Sequence, residues 1–281
     1  MSEPTPAAAS RMGFFTDTTV CIGCKACEVA CKQWNDLPAD GDEFRIGASY
    51  DHTGSLGATT WRHVRFVEQP ADLDLVGVAE GFGRWVFMSD VCKHCTHAGC
   101  LDACPTGALI RTEFETVIVQ PDVCNGCGYC VPSCPFGVID RDRIDGRAAK
   151  CTLCYDRLED GLEPACAKAC PTDSIQFGRY DELVETARGR VLELHDRGLE
   201  SAYLYGAGDE AADELAGGLG AFFLLTEPPE SYGLPARADS PSRANAGPAT
   251  AAGVGAALVA LGATVASFAL ASRGSRRRGA R

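Results

Sequence analysis

This sequence predicts a small α+β domain, stapled through its cysteines and followed by one membrane-spanning helix. Three observations carry that expectation. Sixteen of the 281 residues are cysteine, in four tight groups with none left over. Short alternating apolar stretches between the groups read as strands. A long run without charge lies near the C-terminus.

The cysteine groups come first. They are Cys21-x2-Cys24-x2-Cys27-x3-Cys31, Cys92-x2-Cys95-x4-Cys100-x3-Cys104, Cys124-x2-Cys127-x2-Cys130-x3-Cys134 and Cys151-x2-Cys154-x11-Cys166-x3-Cys170. A cubane [4Fe–4S] cluster takes four thiolates, and a C-x2-C-x2-C-x3-C-P run supplies them in bacterial ferredoxins. Four runs predict four [4Fe–4S] clusters with all sixteen cysteines as iron ligands. The short loop wraps one cube, and Gly23, Gly126 and Gly128 let its backbone come close and take positive φ. The fourth cysteine of a run ligates the other cluster in two-cluster ferredoxins, so the groups work in pairs. Proline follows Cys104, Cys134 and Cys170 and fixes the chain direction; Lys32 follows Cys31 instead. Structural zinc would use pairs of C-x2-C knuckles, which three evenly spaced cysteines plus a fourth do not resemble. Disulfides suit an even count in an exported chain, but cysteines two residues apart bridge poorly.

The remaining elements follow in chain order. Residues 1–12 read as a disordered tail. The stretch MSEPTPAAASRMGFF has no apolar core of signal-peptide length and one Arg before Phe14. Between groups one and two, Trp61–Val67 and Arg84–Met88 alternate and read as strands. Ala108–Ile110 and Val117–Val119 flank a polar turn and read as a hairpin. Asp181–Arg197 places Leu183, Ala187, Val191 and Leu194 at helical spacing, with Asp181 as its cap and Gly198 as its stop. Residues 206–248, rich in Ala, Gly, Pro and acids, read as an irregular extension.

The run from Ala244 to Ser272 carries no charge, and Ala249–Ala271 is long enough to cross a bilayer core of roughly 30 Å as a helix. Its many Gly and Ala residues suit close helix packing; an Ala/Gly linker is the plainer alternative. Arg273, Arg276, Arg277, Arg278 and Arg281 follow. Positive flanks stay in the cytoplasm, so the C-terminus is expected inside and the cysteine-rich domain outside the cell membrane.

The net charge of −12 argues against a nucleic-acid partner, which wants a basic face. Lys25, Lys93, Arg111, Arg147, Lys150 and Lys168 lie near the cysteine groups and could offset cluster charge, or simply be solvated. His94 and His97 lie inside group two, where hydrogen bonds can tune a cluster; packing is the plainer role. His52, His63 and His195 lie elsewhere. No Ser/His/Asp set, P-loop or dinucleotide fingerprint appears, so no catalytic residue is assigned.

The motifs CIGCKACEVACKQWND (21–36), CKHCTHAGCLDACPTGAL (92–109), CNGCGYCVPSCPFGV (124–138) and KCTLCYDR-x7-ACAKACPTDSIQFG (150–178) resemble the iron–sulfur (beta) subunit of membrane-bound respiratory formate dehydrogenases. The resemblance runs from about Phe14 to the C-terminal span. It implies two ferredoxin-like halves, an outer one from 13–46 and 141–178 and an inner one from 88–140. Together they make a four-cluster region at 13–178, then a helical and irregular extension at 179–243. A transmembrane helix at 244–272 and a basic cytoplasmic tail at 273–281 complete it. It implies nested pairing: Cys21, Cys24, Cys27 and Cys170 on one cluster; Cys151, Cys154, Cys166 and Cys31 on the second; Cys92, Cys95, Cys100 and Cys134 on the third; Cys124, Cys127, Cys130 and Cys104 on the fourth. Spacing alone also permits groups three and four to pair. The implied partners are a molybdopterin catalytic subunit, a membrane cytochrome b subunit and the membrane itself. The implied role is electron transfer without bond chemistry. The cysteine motifs are shared with subunits of other molybdopterin oxidoreductases acting on nitrate, thiosulfate or sulfoxides, and of hydrogenases. A membrane-anchored metal-binding module without redox traffic is the alternative from another class.

Overall fold

The computed structural model describes residues 10–39, 54–69, 72–73, 79–80, 84–208 and 214–278. They divide into two units, Met1–Ser240 and Pro241–Arg281.

The first unit is organised by one four-stranded sheet. Its strands are β1 (Met12–Asp17), followed in the chain by α1 (Ala26–Trp34) and the long hairpin β2 (Arg62–Gln69) and β5 (Arg84–Val91), with a two-residue ladder β3 (Asp72–Leu73) and β4 (Ala79–Glu80) between them. The short helix α2 (Gly99–Asp102), hairpin β6 (Leu109–Arg111) and β7 (Val117–Val119), and ladder β8 (Asp140–Arg141) and β9 (Ala148–Ala149) come next. Then follow α3 (Tyr155–Glu159), α4 (Ala165–Lys168), β10 (Ile175–Arg179), α5 (Tyr180–Asp196), β11 (Tyr203–Tyr205) and β12 (Ala221–Leu225). The sheet order is β10-β1-β12-β11.

Sequence explains the sheet's centre. AFFLL in β12 is apolar at every position and buried at every position, the pattern of a strand covered on both faces. It lies parallel to β1, with Phe15 opposite Phe222, and antiparallel to β11. On its other edge β1 meets β10 antiparallel, Phe14 opposite Phe177. The Phe15 and Phe222 rings stack at 5.5 Å, and Tyr180 meets Phe222 edge-on at 5.6 Å. Helix α5 closes this core with Leu183, Val184, Ala187 and Leu194.

The fold departs from expectation at several points. Residues 206–248 are not irregular throughout: Ala221–Leu225 is a central strand, because aromatic and aliphatic side chains there complete the core of β1. Helix α5 starts one residue early. Arg179 occupies its N-cap without a side-chain bond, and Asp181 sits in the first turn, where a carboxylate favours the helix dipole. Gly198 takes φ 87° just past the helix, a conformation other residues resist. Trp61 lies before β2, its indole N–H donating to the Ala58 carbonyl at 2.8 Å. Most of the expected tail at 1–12 lies outside the described residues, but Met12 already belongs to β1.

The second unit holds α6 (Pro241–Ala244) and α7 (Ala246–Arg278). In α7, Ala246–Phe268 is 23 residues long and apolar enough to cross a membrane, and none of it is buried in the chain. Thr250 and Thr264 donate their hydroxyls to carbonyls one turn back, both at 2.7 Å, so neither hydroxyl is left unpaired on the apolar surface. Helix continues past the expected boundary at 272 to Arg278.

Phe222→Ala is expected to cost about 3–5 kcal/mol, the range for deleting a buried aromatic side chain. The check is an earlier loss of far-UV circular dichroism in a denaturant series. Leu192→Ala, on the solvent face of α5 at 64% exposure, should leave that midpoint in place.

Candidate metal centres

The cysteines sit where regular structure is shortest. Cys27 and Cys31 are the exception: they lie one turn apart on α1 and are buried on its inner face. That helix opens at Lys25, whose φ of 61° turns the chain out of the Cys21–Cys24 loop. Cys92 follows β5, Cys100 lies in α2, Cys154 precedes α3 with φ 50°, and Cys166 lies in α4. Group three is carried by turns at 121–136. There Gly126 has φ 73°, and a Cβ would meet the Gly146 carbonyl oxygen at 2.7 Å, so the close loop requires glycine.

Two cavities show how the groups converge. One is lined by Cys21, Cys24, Cys27 and Cys170, with Ser89, Val64 and Ile175. The other is lined by Cys92, Cys95, Cys100 and Cys134, with His94 and Lys150. Each combines three cysteines of one group with the last cysteine of a distant group. The other eight also come together. Cys31 lies among Cys151, Cys166 and Cys154; burial first, then the charge of those neighbours, pushes its thiol up. Cys130 is pushed up to about 11 by burial, with Cys124, Cys127 and Cys104 adding to the effect. Neighbouring sets also feel one another: Cys27 feels Cys166, Cys151 feels Cys92, and Cys100 feels Cys130. These influences link the first set to the second, the second to the third and the third to the fourth.

The residues fit [4Fe–4S] clusters. Each cavity presents four sulfurs around a mostly apolar void, and cluster ligation is by thiolate. Among the described residues, no three or more His, Cys, Asp or Glu converge as ligands of a single ion would. Backbone N–H groups approach the sulfurs, Leu153 to Cys151 Sγ at 3.3 Å and Ala148 to Cys124 Sγ at 3.4 Å. His94 supplies an orphan donor. Its Nδ1 accepts from the Val117 N–H at 3.1 Å, so its Nε2 carries the proton when neutral, and that buried atom has no partner. Burial, then the nearby Lys150, Arg111 and Arg62, holds its pKa well below the usual histidine value. His97 instead packs against Gly217.

Two residues at the sulfurs lie outside every cysteine motif. Arg62 and Ser89 come from the hairpin between groups one and two. Arg62 Nη2 donates to Cys166 Sγ at 3.2 Å, and the Ser89 hydroxyl stands 3.2 Å from Cys27 Sγ. Glu28, buried on α1, ties the hairpin down by accepting from the Val64 N–H and facing Lys25 at 3.7 Å. A signal was present: in the alternation of β2, Arg62 shares its face with the buried Val64, so its charge had to point inward. Of the cations near the cysteine groups, Lys93 and Lys150 are buried, whereas Arg147 remains half exposed.

Known proteins resemble this chain in sequence. Two family models, each described as a 4Fe-4S dicluster domain, match residues 20–108 and 83–180. A formate dehydrogenase iron-sulfur subunit of Haemophilus influenzae is 42% identical over 207 residues, 72% of this chain and 64% of that protein. The match thus spans just under two thirds of that relative. The iron-sulfur subunit of the nitrate-inducible formate dehydrogenase of Escherichia coli is 41% identical over 223 residues, 78% of this chain and 70% of that protein. The B subunit of the anaerobic dimethyl sulfoxide reductase of Escherichia coli is 34% identical over 180 residues, 62% and 76% respectively.

Alkylation of the metal-free chain tests the burial pattern. Burial pushes Cys27 and Cys100 up to about 12 and Cys154 up to about 11, so near pH 8 they stay thiols and react slowly. Cys24 and Cys127 are exposed, and backbone N–H bonds outweigh burial to lower Cys104. Mass spectrometry after brief iodoacetamide treatment should find these three modified ahead of Cys27, Cys100 and Cys154.

Proposed function

The chain belongs to the family of formate dehydrogenase iron–sulfur subunits, and on that premise we propose that it relays electrons from a molybdopterin catalytic subunit to a membrane cytochrome b and quinone. The observation that carries this reading is four sets of four cysteines in a row, with none left over. Cys21, Cys24, Cys27 and Cys170 would hold one cluster, and Cys31, Cys151, Cys154 and Cys166 the second. Cys92, Cys95, Cys100 and Cys134 would hold the third, and Cys104, Cys124, Cys127 and Cys130 the fourth. The two cavities and the two thiol clusters support this nesting of an inner ferredoxin-like half, 88–140, within an outer half, 13–46 and 141–178.

When bound, the clusters supply one-electron acceptance and donation over a wide span of potential. The chain's own residues do the rest. The cysteines hold position through turns, N–H groups of Leu153 and Ala148 stabilise charge on sulfur, and apolar walls from Val64, Val138, Leu153 and Ile175 keep water out. No residue is assigned to bond chemistry; oxidation of formate belongs to the proposed partner.

Helix α7 is proposed as a single-pass anchor, with the cysteine-rich unit on the extracytoplasmic side and the C-terminus in the cytoplasm. Its length and apolarity support the anchor. The arginines at 273, 276, 277, 278 and 281 support the orientation, because positive flanks resist crossing. The second reading, the same subunit in a sulfoxide reductase or related complex, is favoured by the likeness to the dimethyl sulfoxide reductase B subunit.

Anaerobically purified protein should carry about sixteen irons and sixteen acid-labile sulfides, and Cys127→Ser should lose or convert one cluster. A value near eight, or bound zinc, would contradict the reading. In the complex with its large subunit, formate should reduce the clusters as followed by EPR. Intact clusters that stay oxidised with formate but respond to another donor would select the second reading. In spheroplasts, added protease should digest the cysteine-rich unit while a C-terminal tag survives; the reverse pattern overturns the orientation.

A further inference from the structure

The most deeply buried lysine and arginine side chains lie among the cysteine sets: Arg62, Lys93 and Lys150, each 1% exposed. Lys93 has a carboxylate of its own in Asp90. Arg62 and Lys150 do not: among the described residues no Asp or Glu pairs with either. The Arg62 guanidinium donates from Nη2 to Cys166 Sγ at 3.2 Å, and from Nη1 to the Ser89 carbonyl at 3.2 Å and hydroxyl at 3.3 Å. Its Nε has no partner, and the Phe14 ring lies 4.7 Å away. A guanidinium does not lose its proton in a protein, and a buried charge requires an opposite one. The anions it would face with clusters bound are ligating thiolates of two sets: Cys166, which it touches, on one side, and Cys27, reached through the Ser89 hydroxyl, on the other.

Lys150 repeats the arrangement one step along the row. Its Nζ donates to the Val117 carbonyl and, at 2.9 Å, to the Cys151 carbonyl. It lines the cavity of Cys92, Cys95, Cys100 and Cys134. It thus touches two sets, the third through the cavity wall and the second through the Cys151 carbonyl. No hydrogen bond among the described residues joins either cation to the set of Cys104, Cys124, Cys127 and Cys130.

We infer that Arg62 and Lys150 are shared counter-ions, each set in the wall between two neighbouring cluster sites and raising the reduction potential of both. The inference rests on the cluster reading above. A site that accepts one electron gains one negative charge, and a fixed positive charge a few ångströms away lowers the energy of that reduced state. No bond forms or breaks, and no proton moves to or from the cation. A wall cation must therefore act on its sites in pairs: Arg62 on the first and second in the row, Lys150 on the second and third.

The experiment is an EPR-monitored redox titration of the complex containing the full chain, poised with one-electron mediators. Arg62→Gln should lower two of the four midpoint potentials. At a fixed poise, the reduced-to-oxidised ratio of those two clusters should fall at least tenfold, which is 59 mV for a one-electron couple. Lys150→Met should lower a different pair with one member in common. Arg62→Lys, which keeps the charge, should retain most of the original potential. A fully loaded Arg62→Gln protein with unchanged potentials, or with all four shifted alike, overturns the proposal. So does Arg62→Lys shifting as far as Arg62→Gln. If Arg62→Gln does not assemble, Lys150→Met decides by the same criterion: two lowered potentials support the proposal, and four unchanged or four equally shifted potentials overturn it. Wild-type protein with fewer than four clusters would instead refute the cluster reading itself.

Discussion

The constraint on which the rest depends is electrostatic. Sixteen thiol groups must be gathered in fours inside a chain that already carries a net charge of −12. Ligation requires the thiolate, and burial works against it, pushing Cys27 and Cys100 up to about 12. Something in the protein must hold negative charge where water does not reach. The fold meets this with backbone N–H groups at Cys124 and Cys151 and with the buried cations Arg62 and Lys150.

Those groups need a frame, and the cysteine loops cannot provide one. Their helices are mostly four or five residues long, and their backbone turns sharply, with positive φ at Lys25, His94 and Cys154. Rigidity comes from the sheet β10-β1-β12-β11 and from helix α5 across it. Strand β1 leads into group one, and β10 follows group four. Their antiparallel pairing brings Cys21 and Cys170 to the same cavity although they stand at opposite ends of the cysteine-rich region. The long hairpin β2–β5 does comparable work on the inside. Arg62 and Ser89 reach sulfur from its two strands, and Glu28 fastens it to α1.

Much of the chemistry is legible from residues alone. The spacing within each cysteine group prescribes a cluster loop because only a few residues can lie between sulfurs on one cube. The apolar, uncharged run before the C-terminal arginines prescribes a helix of spanning length. The hairpin of Ile110 and Ile118 and the helix of Leu183 and Leu194 follow from periodicity. Residues 206–248 mislead because their composition is loop-like overall, while five residues, Ala221–Leu225, carry the strand. Average composition hides a short buried segment; the local run of apolar side chains does not.

What sequence by itself determined is the candidate ligand set, sixteen cysteines in four groups, since sulfur chemistry depends on residue type and on spacing too short for the chain to alter. What only tertiary structure decided is company. Spacing left open whether Cys134 belongs with Cys92 or with group four, and the structure places both in one cavity. Nothing in the cysteine motifs points to Arg62, which lies 104 residues from the Cys166 sulfur it touches. Such contacts are long-range by nature. They depend on strand register, on which face of a pleat points inward, and on which charges have no other partner once water is gone.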